Sequence, residues 1–120
     1  MDAIAMLAVV ASLLETTRKG DTMVKVGIFV RLIAKAGRAA DVEQLLMAGR
    51  AIVQEETGTP LWFAVRFDAQ TFGIFDAFAD ESARQAHLGG RLAAALMAKA
   101  GELLAEPPKI ERVDVLAEKT

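Results

Sequence analysis

The chain has 120 residues, a formal net charge of −2 and no cysteine. This length suits one domain with a single core. The absence of cysteine excludes disulfides, thiol nucleophiles and thiolate metal sites, and the lack of a basic excess argues against nucleic-acid binding. Because 53% of the residues are hydrophobic, part of the apolar surface is expected to lie between subunits. The expected location is the cytoplasm.

The N-terminal segment is apolar but short. Residues 3–14 are almost all apolar, whereas a membrane-spanning helix takes roughly 20 such residues. A secretory leader carries positive charge before its apolar core, but here the first basic residue, Arg18, follows it. We therefore predict an N-terminal helical extension over residues 1–22 rather than an export signal, a domain over residues 23–120, and no membrane association. A natural start at Met23 is the alternative.

Hydrophobic periodicity predicts the remaining elements. Period-2 alternation predicts strands, and a period of 3.6 residues predicts helices. The predicted strands are 24–34, 61–68, 72–79 and 109–116, and the predicted helices are 40–56, 82–88 and 91–105. Gly58 and Pro60 are expected to end the first of these helices. The order β-α-β-β-α-α-β is typical of an α+β, ferredoxin-like split β-α-β fold with an antiparallel four-stranded sheet.

The predicted strands carry apolar side chains on both faces in places. Phe29 and Ile33 lie on one face of the first strand, and Trp62 and Ala64 lie on one face of the second. One face of the sheet takes the helices, and in a chain this short the other meets water or a second subunit. We therefore predict a homodimer through the sheet face.

The segment 72–87, which reads FGIFDAFADESARQAH, is the most informative part of the chain. Asp76 and Phe78 stand at alternate positions of a strand, an acidic turn follows, and a short helix then carries His87, the only histidine. This arrangement resembles the signature of the antibiotic biosynthesis monooxygenase family. In that family a strand reading acid, any residue, aromatic leads through a polar turn into a helix that ends in His.

The resemblance covers about residues 23–118 and includes the sequence EETGTPLW after the long helix. It implies a dimeric α/β barrel with cofactor-independent monooxygenase activity on a small aromatic or quinol-like substrate, and therefore no cofactor. Family members usually have Glu and Trp where this chain has Asp76 and Phe78. The family's polyketide-oxidising and haem-degrading members rely on Asn, with Tyr in the former, and this chain has neither residue.

His87 and Asp76 are the candidate catalytic residues. The unperturbed pKa of histidine lies near neutrality, so His87 could act as a general base that takes a proton from a phenolic substrate. The alternative is a structural histidine bonded to backbone or to a carboxylate. Asp76 lies in an apolar strand, where a buried charge needs a partner, and either His87 or Arg66 could supply it.

Trp62, Arg66 and Phe78 are the candidate residues of a pocket for a small aromatic ligand. A strand arginine can hold an anionic oxygen, although aromatic strand residues more often belong to the core. One histidine and scattered acids do not supply the converging ligands of a metal site, so no metal is expected. The sequence thus leaves two functions open, a cofactor-independent monooxygenase and a non-catalytic dimeric module that binds a small apolar ligand or acts through its assembly.

Overall fold

The computed structural model describes residues 2–16 and 23–119, and for residues 10–16 it describes the backbone alone. The elements in chain order are α1 (Ala3–Thr16), β1 (Val26–Ile33), α2 (Ala39–Val53), β2 (Leu61–Arg66), β3 (Thr71–Phe78), α3 (Glu81–Leu88), α4 (Arg91–Leu103) and β4 (Lys109–Asp114). The predicted α+β class and order of elements are confirmed.

The four strands form one antiparallel sheet in the order β2-β3-β1-β4. This is the ferredoxin-like arrangement, with β1 and β3 in the middle and β2 and β4 at the edges. A tight turn joins β2 to β3, and the Asp68 carboxylate accepts hydrogen bonds from the backbone N–H groups of Gln70 and Thr71, both at 2.9 Å. Short side chains of this kind stabilise turns by replacing a backbone partner.

One face of the sheet packs under the helices and forms the core. Alternate residues of β1 and β3 point to this face, and the helices contribute leucines and a valine. The buried core residues are Ile28, Val30, Leu32, Ala34, Val42, Leu46, Phe72, Ile74, Phe78, Leu96, Leu103 and Leu104. The remaining alternate residues of each strand point away from the helices.

The opposite face of the sheet carries an aromatic patch, which we define as Phe29, Phe63, Val65, Phe67 and Phe75. Phe63 and Phe67 are 53% and 49% exposed, and Val65 is 41% exposed. Cross-strand pairing places Phe29 and Phe63 on either side of Phe75, and the rings of Phe29 and Phe67 lie 6.1 Å apart. The described residues thus leave a largely apolar surface on this side of the sheet, where the guanidinium of Arg31 lies 4.5 Å from the centre of the Phe67 ring.

Helix α2 ends at Val53, earlier than the predicted end near residue 56. The N–H groups of Glu55 and Glu56 donate to the carbonyls of Ile52 and Val53, three residues back, at 3.2 and 2.8 Å. This tighter pattern is common in the last turn of a helix. The chain therefore turns before Gly58, and Glu56 lies outside the helix.

Helix α1 begins directly after Asp2, whose carboxylate accepts a hydrogen bond from the N–H of Ala5 at 2.7 Å. The side chains of residues 2–9 are exposed. The predicted division into an extension over residues 1–22 and a domain over residues 23–120 stays a prediction, and residues 1, 17–22 and 120 lie outside the described residues. Across the described ranges, no helix is both long enough and apolar enough to cross a membrane.

Candidate functional site

The centre of the site is a histidine held between two carboxylates. His87 Nδ1 lies 2.6 Å from Glu56 Oε1, and His87 Nε2 lies 2.9 Å from Asp76 Oδ2. The side chains of His87 and Asp76 are 8% and 1% exposed, and that of Glu56 is 22% exposed. We call Glu56, His87 and Asp76 the carboxylate–histidine chain.

The three members of the carboxylate–histidine chain come from three separate parts of the fold. Asp76 lies within β3 on the helix-covered face, between Ile28 of β1 and Trp62 of β2. His87 lies in the last turn of α3, where a positive charge is favourable to the helix dipole. Glu56 comes from the loop that follows α2.

Helix α3 is capped at its start and held against the sheet by Arg84. Its N-cap is Asp80, whose side chain accepts a hydrogen bond from the N–H of Ala83 at 2.8 Å, and this interaction satisfies a helix-terminal donor. Further along, buried Arg84 donates to the carbonyls of Gly27 and Val113 at 3.2 and 3.3 Å. These contacts place His87 directly over Asp76.

Charge in the carboxylate–histidine chain favours a protonated imidazole. Burial by itself lowers the pKa of His87, but hydrogen bonds to Asp76 and Glu56, and the negative charges of both groups, outweigh it and raise the pKa above its usual value of 6.5. A ring that is flanked by two carboxylates satisfies both of them only when both of its nitrogens carry protons. With both carboxylates ionised and the imidazole protonated, the carboxylate–histidine chain carries one net negative charge.

This geometry leaves neither ring nitrogen of His87 free to contact a substrate, since each is bonded to a carboxylate. It also separates the carboxylates from one another, because the ring stands between them instead of beside them. Ligands of a metal must converge on one point. Within residues 2–16 and 23–119, no group of three or more His, Cys, Asp or Glu side chains could hold a metal ion.

In the described part of the structure, cavities on two sides border the carboxylate–histidine chain. A half-open cavity of about 330 Å³ lies at the β2 edge of the sheet and is lined by Arg50, Val53, Gln54, Glu56, Thr59, Pro60, Trp62, Phe63 and Ala64. A much smaller cavity of about 40 Å³ lies under α3 and α4, where Asp76 and His87 meet apolar side chains such as Leu92. Only the larger cavity has room for an aromatic ligand.

The residues predicted to line a pocket lie in three different environments. Trp62 lines the larger cavity. Phe78 is fully buried, and its ring lies 5.3 Å from the ring of His87. Arg66 is about half exposed, pairs with Glu43 at 2.6 Å and lines a separate depression of about 230 Å³. The structure therefore gives Asp76 the partner His87, and Arg66 lies apart from both.

Glu56 is a site residue that sequence reasoning missed. Its position in the periodic pattern assigned it to the end of a predicted helix, where an acidic side chain is ordinarily solvated. Gly58 and Pro60 signalled that the chain turns after this acid, but they did not show which side chain the acid would meet. Periodicity along one helix carries no information about a histidine 31 residues later.

Among known proteins, the chain is similar to several whose structures have been solved. No protein-family profile matches the sequence, and no curated protein matches it. The structure of a protein of unknown function from Nitrosomonas europaea has a TM-score of 0.80 and 52% identity, over 82% of this chain and 95% of that one.

More distant structures include candidate antibiotic biosynthesis monooxygenases. One from Caulobacter crescentus has a TM-score of 0.68 and 22% identity, over 79% of this chain and 92% of that one. Another from Deinococcus radiodurans has a TM-score of 0.66 and 21% identity, over 79% and 96%. The chain thus belongs to the same family as the Nitrosomonas europaea protein, and its fold is that of the antibiotic biosynthesis monooxygenases.

Proposed function

We propose that the protein is a cofactor-independent monooxygenase that acts on a small aromatic, quinol-like substrate. The observation that carries the proposal is the cavity of about 330 Å³, whose lining includes Glu56, the least buried member of the carboxylate–histidine chain. Its volume falls within the range of small-molecule sites, about 300–1,000 Å³. The fold shared with candidate monooxygenases is consistent with this activity.

The proposed reaction begins with removal of a phenolic proton, which leaves an electron-rich anion that reacts with O₂. For an anthrone, oxidation of the ring methylene to a carbonyl supplies four electrons. One oxygen atom of O₂ enters the product and the other leaves as water, so the reaction requires no external reductant. His87 and Asp76 form the buried part of the proposed acid–base site, and Glu56 connects His87 to the cavity.

We also propose that the protein acts as a homodimer through the aromatic patch. Exposed apolar surfaces of this kind mark interaction sites. Two sheets can pack face to face so that the side chains of the two inner faces interdigitate. Phe63 belongs both to the patch and to the wall of the larger cavity. A second copy that covers Phe63 would therefore also narrow the opening of the cavity.

The test is oxygen consumption by the purified protein with a panel of hydroquinones and anthrones. We expect the wild type to exceed an inert protein control. His87→Ala should lower the rate by about 10²- to 10⁴-fold, the usual contribution of acid–base catalysis. Circular dichroism checks that the variant is folded. A wild type that matches the inert control, or a fully active His87→Ala variant, would contradict the proposal.

The alternative function is a non-catalytic dimeric module that binds a small apolar ligand or acts through its assembly. It is favoured by the two occupied ring nitrogens of His87 and by the absence of Asn and Tyr from the sequence. It predicts that aromatic compounds bind with no oxygen consumption. The oxygen-consumption assay, paired with calorimetric titration of the same compounds, distinguishes the two functions.

A further inference from the structure

Two residues that line the larger cavity each have one buried polar atom with unused hydrogen-bonding capacity. Glu56 Oε2 and Trp62 Nε1 are both buried, and neither has a hydrogen-bond partner among the described residues. Both residues line the cavity of about 330 Å³. A buried polar atom without a partner is unfavourable, so a ligand that satisfies both atoms gains affinity from each.

The two atoms have opposite requirements. A carboxylate oxygen only accepts hydrogen bonds, whereas the indole N–H only donates one. A hydroxyl group both donates and accepts, so a single phenolic oxygen can donate to Glu56 and accept from Trp62. An ether or an unsubstituted ring cannot donate, and a carboxylate ligand would be repelled by Glu56.

We propose that Glu56 is the catalytic residue that takes the proton of a phenolic hydroxyl, and that the Trp62 indole binds the same oxygen. This inference rests on the proposed function and names its substrate class, an aromatic molecule with a free hydroxyl. In the step, the phenolic O–H bond breaks and a new O–H bond forms at Glu56 Oε2. The electron pair stays on the phenolate oxygen, where the indole N–H stabilises it.

The contacts of Glu56 hold its carboxylate in one orientation. Oε1 is held by His87 Nδ1 at 2.6 Å and accepts a hydrogen bond from Thr59 Oγ1 at 3.0 Å, so the carboxylate is fixed and Oε2 is the oxygen left for a ligand. With His87 protonated, Glu56 and Asp76 together leave one net negative charge in a largely buried cluster. One proton accepted by Glu56 makes the cluster neutral, and His87 and Asp76 remain paired as positioning residues.

The neighbouring acid Glu55 provides a matched control. Glu55 pairs with Arg91 at 3.1 Å in an ion pair whose side chains are 73% and 75% exposed. It is adjacent to Glu56 in sequence, carries the same charge and does not line the cavity. Glu55→Gln therefore reproduces the chemical change of Glu56→Gln outside the site.

The binding test is calorimetric titration with 4-nitrophenol and its methyl ether, 4-nitroanisole. Wild type and Glu55→Gln should bind the phenol more tightly than the ether. Glu56→Gln should weaken phenol binding by about 10- to 100-fold, as expected for loss of a hydrogen bond to a charged group, and leave ether binding unchanged. Trp62→Phe should weaken phenol binding by about 3- to 10-fold. Selective loss for the hydroxyl compound would not result from a merely structural role.

The inference is overturned if the wild type binds phenol and ether equally, or if Glu56→Gln discriminates between them as the wild type does. Oxygen consumption then separates it from the proposed function. An active wild type with an equally active Glu56→Gln variant overturns the role of Glu56 and leaves the monooxygenase proposal standing. An inactive wild type that shows the expected binding pattern overturns the monooxygenase proposal and supports the hydroxyl site.

Discussion

The two faces of the sheet differ in what they bury and what they expose: one buries charged side chains, and the other exposes aromatic ones. On the covered face, Asp76 is 1% exposed and pairs through Oδ2 with His87 of α3, which in turn pairs with Glu56 from the loop after α2. On the other face, Phe63 is 53% exposed, and no described element of the chain covers it. The chain thus buries a charged cluster with its own helices, and the described elements leave the apolar surface uncovered. Variants on either face can test this contrast.

The largest expected effect is on the open face. Phe63→Asp should dissociate the proposed dimer, because burial of one Phe contributes about 1.5–3 kcal/mol and a two-fold interface contains it twice. The dissociation constant should rise by about 10²- to 10⁴-fold, as measured by analytical ultracentrifugation. Met97→Asp is the control, since Met97 is 57% exposed on α4 and its change should leave the assembly intact. A monomeric wild type would contradict the dimer.

On the covered face, Asp76→Ala should lower the free energy of unfolding by about 3–5 kcal/mol, the usual effect of removing one partner of a buried ion pair. The measurement is urea denaturation at a fixed protein concentration, because dimerisation would couple stability to concentration. Asp114→Ala removes an exposed acid at the end of β4 and should change the free energy by less than about 0.5 kcal/mol. Equal effects of the two changes would show that the cluster adds no special stability.

Stability should also depend on pH through His87. Its pKa is raised in the folded state, so the folded protein binds the proton more tightly than the unfolded chain, whose histidine titrates near 6.5. The contribution of His87 is therefore complete below about pH 6.5 and is lost as the pH rises through the folded pKa. Urea denaturation between about pH 6 and 9 should show this loss in the wild type and not in His87→Gln, which lacks the only histidine. A wild type that gains stability relative to the variant as the pH rises would contradict the charged state of His87.

The smallest expected effect concerns the start of α3, the helix that holds His87 over the sheet. Asp80→Ala removes the side chain that caps this helix and should lower the free energy of unfolding by about 1 kcal/mol. Asp80→Ser retains a capping oxygen and should stay close to the wild type. Thermal denaturation followed by circular dichroism is sufficient to measure the difference. Indistinguishable Ala and Ser variants would show that the cap is not needed to hold α3.

Much of the fold could be predicted because it depends on local patterns. Alternation along residues 72–79 predicted β3 to within one residue at each end. The end of α2 was misplaced because backbone hydrogen bonds, which periodicity does not report, close the helix at Val53. His87 and Asp76 stood out as a lone histidine and an acid in an apolar strand. Glu56 did not stand out, since an acid after a helix is ordinary until a distant histidine is placed beside it.

The sequence by itself determined the α+β class, the order of the elements and the alternation that separates the two faces of the sheet, because these follow from near-neighbour spacing. Only the tertiary structure decided which partner each charged group takes. Asp76 pairs with His87 rather than Arg66, and His87 also reaches Glu56. Such pairings join residues that are distant in sequence, and they depend on where α3 and the loop after α2 come to rest over the sheet.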